Sequence, residues 1–322
     1  MVDPSKLKIG VVGAGQMGHG IAQVFACAGS GVVMVDVDME RLKKALRLIE
    51  ENLAFLAEKG LFRGRREEVL RRIEPSTALD PLKEADLVVE SVYEDLKLKQ
   101  DLFFELDRLC RPQTALASNT SVISITEIAQ RCRRKERVLG THFWNPPFLV
   151  PLVEVVKTEH TSEEVFDFAY EVLLAVGKRP IKCLRDVPGF IANRLQHALW
   201  REAVSLVEKG IADPETVDEA IKLSFGLRLP VLGPLENADM VGLDLVLSIH
   251  DYIFKYLDAS KEASPLLREK VEKGELGFKS QKGFYTWTEQ KAKQKREELL
   301  EHLVRWHLSQ KGQGGEDGKA HN

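Results

Sequence analysis

A chain of 322 residues, 44% hydrophobic and 30% charged with a formal net charge of -3, is long enough for two domains that each bury a core. That near-neutral balance excludes a general nucleic-acid binder, which needs a concentrated basic surface, but leaves room for a local basic pocket. Cys27, Cys110, Cys132 and Cys183 stand far apart with no CxxC pair, so free thiols in a reducing compartment are expected and no metal site. The longest apolar runs are strand-sized, which predicts no membrane span. A strand is reached by Lys8, leaving no room for a signal peptide, so the expected location is cytoplasmic.

From Lys8 to about Lys182, short apolar runs alternate with amphipathic stretches, the pattern of a mostly parallel, doubly wound α/β sheet covered on both faces. The expected strands are Lys8–Val12, Val32–Val35, Leu87–Val89, Ala115–Ala117, Arg137–Gly140 and Leu152–Val156. Between Met39 and Arg72 lies a helix-favouring stretch broken at Gly60–Gly64, too long for an ordinary connection and read as an inserted helical hairpin. At Asp186-Val187-Pro188-Gly189 the alternation stops, which sets a domain boundary between 1–187 and 188–322. An all-α domain follows, with helices expected over Phe190–Lys209, Pro214–Ser224 and Met240–Lys255. Gly210 suits a C-terminal cap, and Asp213-Pro214 reads as an N-cap followed by proline at the first helical position. A charged helix over roughly Glu289–Gln310 carries Leu299, Leu300, Leu303, Val304 and His307 as a narrow apolar stripe. That stripe fits a neighbouring helix or a partner subunit, and the Gly-rich tail after about 310 is expected to be disordered.

The first strand runs into Gly13-Ala14-Gly15-Gln16-Met17-Gly18, which opens a helix reaching about Ala28. Gly13 permits the tight turn, Gly15 lets backbone approach a pyrophosphate, and Gly18 lets the helix pack on the strand. The next strand ends in Asp36, 18 residues after Gly18, where an acid bonds the adenosine ribose hydroxyls. Arg41 is the nearest arginine and none is adjacent, so a 2′-phosphate would be repelled and NAD is favoured over NADP. The first domain is therefore read as a Rossmann, NAD-binding domain.

The segment from Gly140 to Glu154 holds His142, Asn145, Pro146, Pro147, Phe148 and Pro151. His142 and Glu154 are equidistant from Phe148, so a reversal among the prolines would set the two side chains opposite each other. A carboxylate beside an imidazole fixes its tautomer and stabilises the imidazolium, as a general base for alcohol oxidation requires. A buried histidine bonded to a glutamate also serves purely structural ends, and spacing alone leaves the two readings level. Ser118-Asn119-Thr120-Ser121 tips the balance, because it follows a buried strand and so lies at the carboxyl edge of the sheet where ligands bind.

The stretches GVVGAGQMGHGIAQVFA, LVVESVYEDLKLKQDLF, ALASNTSVISITEIA, GTHFWNPPFLVPLVEVVK, DVPGFIANRLQ and GFKSQKGFYTW run in order from residue 10 to 287. In them the chain resembles the 3-hydroxyacyl-CoA dehydrogenase superfamily, which includes the gulonate dehydrogenase (lambda-crystallin) and carnitine dehydrogenase relatives. The resemblance implies an NAD-dependent dehydrogenase of L-3-hydroxy substrates whose helical domain makes a homodimer. It implies His142 as general base, Glu154 as its orienting partner, and Ser121 and Asn193 at the substrate's reacting oxygens. It also implies that Glu94, Lys99, Asn145 and Lys279 contact NAD. Read from charge pattern alone, Glu94 and Lys99 are a solvated pair near a helix start, and Asn193 a polar residue in mid-helix.

The features bearing on substrate disagree. The hairpin carries Lys59, Arg63, Arg65, Arg66, Arg71 and Arg72, and Lys59 falls where the acyl-CoA members use a lysine. Such a cluster suits the phosphates of CoA, although Glu67 and Glu68 interleave it and Asn52 replaces a serine of the family pattern. Phe225–Leu232 instead resembles the gulonate and carnitine enzymes, where Arg228 would clamp a free carboxylate. The reading is oxidation of a 3-hydroxyacyl-CoA, with a free 3-hydroxy acid as the alternative. A non-catalytic NAD-binding protein, like the lens crystallins recruited from this family, is a third reading. The intact His142, Glu154, Ser121 and Asn193 set argues against it.

Overall fold

The computed structural model describes residues 2–313. The chain divides into two compact units, one running to Asn193 and resuming at Leu300, the other spanning Arg194–Leu299. In the first unit the elements run β1 (Lys8–Val12), α1 (Gly18–Cys27), β2 (Gly31–Val35), α2 (Met39–Glu58), α3 (Arg66–Arg71) and β3 (Ile73–Ser76). Then come β4 (Leu87–Glu90), α4 (Leu96–Leu109), β5 (Ala115–Ser118), α5 (Ile125–Ile128), β6 (Val138–Phe143), β7 (Leu152–Val156), α6 (Glu163–Ala175) and β8 (Arg179–Cys183).

The strands form one sheet in the order β3-β2-β1-β4-β5-β6-β7-β8. All neighbours are parallel except β6 and β7. Successive side chains of a strand point to opposite faces, and both faces are filled here. Ile9, Val11, Val89, Ala117 and Leu139 join the core under α1, α2 and α6, with Phe25, Ile49 and Phe166. Val12, Val88, Leu116 and Val138 join the other, with Phe103, Leu106, Ile125 and Ile128 from α4 and α5. The hairpin expected between Met39 and Arg72 is present as α2 and α3.

Three expectations need correction. The edge strands β3 and β8 went unanticipated: each holds a proline, Pro75 or Pro180, and charged residues in place of an apolar run, as suits a sheet edge. Strand β6 is longer than expected and reaches Phe143, so His142 lies within the strand and not in the proline-bearing connection. The helix expected over Met240–Lys255 is two helices, because Gly242 breaks it with a φ of 100° that only glycine adopts readily.

The second unit is helical: α7 (Ala192–Glu208, whose first two residues belong to the first unit), α8 (Pro214–Lys222), α9 (Pro234–Val241), α10 (Leu243–Ile253) and α11 (Pro265–Glu272). Asp213 caps α8, its carboxylate accepting from the Thr216 amide at 2.7 Å with Pro214 in the first turn. Helix α12 (Glu289–Gln313) begins in this unit and ends in the other. The remainder of the polar tail expected to be disordered lies outside the described residues. Among the described residues no helix is long and apolar enough to cross a membrane.

One buried ion pair anchors the turn leading into β6 to α4. Arg137 donates to the Asp107 carboxylate at 2.7 Å and to the Asp107 carbonyl at 2.7 Å, and both residues are buried. Burial alone would raise the Asp107 carboxyl, but Arg137, the Arg133 amide and Arg134 hold it below its ordinary 3.8. A depressed folded-state value means that the stabilisation is complete above the unfolded value and is lost as pH falls through the folded one. Asp107→Ala leaves Arg137 buried without its counter-ion and is expected to cost about 3–5 kcal/mol in denaturant unfolding. A loss below about 1 kcal/mol would show that water readily replaces the carboxylate.

Candidate active site

The turn Gly13–Gly18, Asp36, Glu90, Ser121 and His142 lie at or near the carboxyl ends of β1, β2, β4, β5 and β6. Strand order reverses between β1 and β4, the switch point where open α/β sheets bind ligands. The turn Gly13–Gly18 leaves β1 there. Gly13 has a φ of 103°, and a Cβ on it would meet the Ser91 carbonyl oxygen at 2.4 Å. A Cβ on Gly18 would stand 1.7 Å from the Gly13 carbonyl oxygen, so helix and turn close only over glycine. Gly15 differs: a Cβ there meets nothing within 4 Å, leaving an open space beside the first turn of α1. Gly15 and Gln16 are exposed, while Met17 precedes α1 and packs partly against the core. This open cradle at a helix N-terminus fits a dinucleotide's pyrophosphate.

Asp36 follows β2. Its side chain is 9% exposed, Oδ2 accepts from the Ala14 amide at 2.9 Å, and the Arg41 guanidinium lies 3.9 Å from Oδ1. The carboxylate is thus fixed at the cradle's rim, with Arg41 against it although five positions along the chain.

Beside the cradle lies a charge network with a buried centre. Lys99 of α4 is buried and donates to Glu90 Oε1 at 2.6 Å, with Glu94 Oε2 at 3.2 Å. Glu90, the last residue of β4, also accepts from the Val92 amide at 2.7 Å and from the Ser118 hydroxyl at 2.6 Å. Glu94 Oε1 accepts from the Thr120 hydroxyl and the Ser121 amide, each at 2.7 Å. Burial acts to raise the Glu94 carboxyl, but these bonds and Lys99 hold it below its ordinary value. Of the solvated pair suggested by the charge pattern, Lys99 is therefore an interior residue bonded to Glu90, while the Glu94 side chain stays 41% exposed at the network's outer end. The network's third member, Glu90, was missed, although an acid closing an otherwise apolar strand is a legible signal.

His142 and Glu154 are register partners across the antiparallel pair β6–β7. Glu154 Oε2 lies 2.8 Å from His142 Nδ1, and Glu154 Oε1 accepts from the amides of Ile191 at 2.9 Å and Ala192 at 3.0 Å. Glu154 is 0% exposed. Burial would raise its carboxyl, but the His142 bond and the amides of Ala192 and Ile191 outweigh it, so the group is held below its ordinary value. An ionised carboxylate only accepts, so Nδ1 carries the proton and a neutral ring presents its lone pair at Nε2. Ser121 Oγ lies 3.2 Å from that nitrogen. Asn193 is buried and donates through Nδ2 to the Ser121 carbonyl at 3.1 Å, away from the solvated mid-helix position a polar residue would otherwise take.

The ring of His142 packs against Trp144 and Phe190, with centroids 5.4 and 5.7 Å apart. Phe190 takes a φ of 48°, just after Gly189 at 77°, so the chain turns through two left-handed residues before α7. Strain at a non-glycine residue persists only where its surroundings over-determine it. Here the turn aims the first amides of α7 at Glu154. The role of Phe190 went unread, although Pro188-Gly189-Phe190 stood out as a motif.

The remaining expected site residues lie on other segments of the chain. Asn145 is exposed at a cis peptide to Pro146. Lys59 ends α2, with Nζ 3.7 Å from Glu58 and over the Phe55 ring. Part of the basic hairpin is structurally engaged: Arg65 pairs with Glu68, and Arg72 donates to the Ala26 carbonyl at 3.1 Å. In the second unit, Arg228 is exposed at the end of the turn Phe225–Leu227, and Lys279 is exposed in the loop bridged by Gly277 and Lys282.

A dinucleotide cradle sharing one sheet edge with an oriented histidine is the equipment of a nicotinamide-dependent dehydrogenase. The family models for the 3-hydroxyacyl-CoA dehydrogenase NAD-binding domain and C-terminal domain match residues 8–187 and 189–287. A probable 3-hydroxybutyryl-CoA dehydrogenase of Deinococcus radiodurans is 43% identical over 87% of this chain and 100% of its own length. One of Bacillus subtilis is 43% identical over 88% and 98%. Among solved structures, the (S)-3-hydroxybutyryl-CoA dehydrogenase of Ralstonia eutropha superposes with a TM-score of 0.75 at 36% identity, over 88% of this chain and 99% of that one. The 5-formyl-3-hydroxy-2-methylpyridine 4-carboxylic acid 5-dehydrogenase, an NAD+ dependent dismutase, superposes with a TM-score of 0.87 at 30% identity, over 97% and 99%. The chain belongs to the 3-hydroxyacyl-CoA dehydrogenase family, and its cofactor is NAD.

Asp36 makes the cofactor preference testable. Repulsion of a 2′-phosphate is expected to weaken NADP by at least roughly tenfold against NAD. Asp36→Ala is expected to narrow that gap, as titration of both cofactors into the apo protein will measure. Equal dissociation constants in the unmodified chain would contradict the assignment of Asp36 to the ribose.

Proposed function

We propose that the chain oxidises an L-3-hydroxyacyl-CoA to the 3-ketoacyl-CoA, with His142 as general base. The observation that carries the reading is the orientation of one ring: Nδ1 is tied to a buried carboxylate, and Nε2 faces Ser121. The C3 hydroxyl of the substrate is taken between Nε2 and the Ser121 hydroxyl, with Asn193 at the thioester side. His142 Nε2 removes the hydroxyl proton, and the imidazolium formed is stabilised by Glu154 in a site where water screens little. NAD, when bound, supplies the acceptor for the hydride that leaves C3. Gly13, Gly15, Gln16, Met17 and Gly18 hold the pyrophosphate, Asp36 the adenosine ribose, and Glu94, Lys99 and Asn145 the nicotinamide end.

His142→Ala is expected to lower kcat by about 10²–10⁴ with NAD affinity unchanged. Glu154→Gln is expected to lower kcat less and to move the acidic limb of kcat/KM to lower pH. The sign follows because an imidazolium without its counter-charge loses its proton more easily. Turnover retained in His142→Ala would refute the mechanism.

A second reading, oxidation of a small free acid, has one observation in its favour. The pyridine carboxylic acid dehydrogenase superposes over 97% of this chain, whereas the (S)-3-hydroxybutyryl-CoA dehydrogenase of Ralstonia eutropha superposes over 88%. The two readings differ in where the substrate's negative charge is met. Under the first, Lys59→Ala or Arg63→Ala raises KM for acetoacetyl-CoA roughly tenfold, the worth of one charged contact, and Arg228→Ala leaves it unchanged. Activity on gulonate or 3-hydroxybutyrate that collapses in Arg228→Ala would favour the second.

The chain acts as a homodimer. Helix α10 has no buried residue, and Leu243, Leu247 and Tyr252 on it are exposed, as are Leu235 and Met240 on α9. An apolar surface of that extent is rarely left in water. Light scattering is expected to return twice the chain mass at micromolar concentration, and a monomer mass would overturn this.

A further inference from the structure

The connection from β6 to β7, residues 144–151, joins the strand of His142 to the strand of Glu154. Pro146, Pro147 and Pro151 remove three of its amide donors, so little hydrogen bonding within the loop is available to hold its shape. Its own bonds are those of the Leu149 and Val150 amides to the Pro146 carbonyl, at 3.0 and 2.9 Å. The carbonyls of Pro147, Leu149 and Val150 are met instead by side chains from elsewhere. Lys178, 8% exposed and next to β8, donates through Nζ to the Val150 carbonyl at 2.9 Å and to the Pro147 carbonyl. Burial pushes that ammonium down to about 8, so the lysine is held inside at a cost to its charge.

The Leu149 carbonyl is met by His307 of α12. A carbonyl only accepts, so the ring nitrogen facing it, Nε2, carries hydrogen. Around this bond Leu300, Leu303 and buried Val304 pack with Leu149 and Phe148, and with Leu56, Phe55, Leu61 and Phe62 at the end of α2. Arg179, the first residue of β8, donates to Gln310 Oε1 at 3.2 Å and lies over the Trp306 ring. The apolar stripe read from the sequence thus covers this chain's own loop and hairpin, except that Leu299 stays exposed. On the loop's other side Pro147 presses on α1, where a Cβ on Gly20 would stand 3.0 Å from its ring. The loop is therefore wedged between the cradle helix and α12.

We infer that Lys178 and His307 are positioning residues for the reaction, and that the C-terminal helix, beyond both matched family segments, is part of the support of the active site. The inference rests on His142 being the base. Neither residue touches the histidine; each fixes a carbonyl of the segment that sets where the β6 and β7 side chains meet. Displacements of about 1 Å in such a site cost roughly 10²-fold in rate, so a freed loop registers in kcat while the cofactor cradle still binds.

The test uses the full chain and four variants: His307→Leu, His307→Gln, Lys178→Met and Lys178→Arg. For each, kcat for acetoacetyl-CoA reduction is measured per NADH-binding site, with the NADH dissociation constant from fluorescence and Tm from circular dichroism. His307→Leu and Lys178→Met are expected to lower kcat by about tenfold or more with NADH affinity within about twofold. His307→Gln, whose amide still donates, and Lys178→Arg are expected to recover most of it. Unmodified kcat in both His307→Leu and Lys178→Met would overturn the inference. So would losses of kcat that the conservative variants do not recover, or that follow Tm and NADH affinity together. Turnover surviving His142→Ala would instead overturn the reading of the base itself.

Discussion

A carboxylate with no exposed surface is the constraint on which the site depends. Removing Glu154 from water is costly, and the cost is met by three donors: His142 Nδ1 and the amides of Ile191 and Ala192. Each donor fixes a different element. The histidine bond requires β6 and β7 to pair antiparallel in one register, because a slip of one residue would turn either side chain to the opposite face. The amide bonds require the chain to turn sharply before α7, which explains why Phe190 holds a strained conformation beside Gly189. A sheet that is otherwise parallel thus gains its one antiparallel pairing where the chemistry lies.

The same logic applies to Lys99, which is buried between Glu90 and Glu94. The network ties the end of β4, the start of α4 and the loop after β5 into one piece, with Ser118, Thr120 and the Ser121 amide as its neutral members. Ser121 is therefore held from two directions, by its amide on Glu94 and by its carbonyl on Asn193. A hydroxyl that must meet a substrate oxygen is useful only when its backbone cannot move.

Much of this was legible in the sequence because it follows from local rules. The glycine spacing of 13–18 has a steric reading: a Cβ would clash at Gly13 and Gly18, and Gly15 leaves open space. The pairing of His142 with Glu154 followed from their symmetry about Phe148 and from the prolines between them. What stayed hidden depended on the third dimension. Strands β3 and β8 lack apolar runs because each has only one neighbour, and Gly242 splits a helix whose periodicity continues on either side. Lys178 gave no local signal and His307 only a place on the stripe of the last helix, since their acceptors are carbonyls that lie 28 and 158 residues away along the chain.

The two prolines at the margins of the sheet have a consequence for the protein in a crowded solution. A sheet grows when an outer strand offers an unbroken row of donors and acceptors to a strand from another molecule. Pro75 on one margin and Pro180 on the other each delete a donor from that row, and Glu74, Arg179 and Lys182 add charge beside the gaps. Inner strands as apolar as Leu87–Glu90 or Ala115–Ser118 would be hazardous in that outer place. The chain keeps them central and leaves at its borders strands that make poor templates for fibril growth.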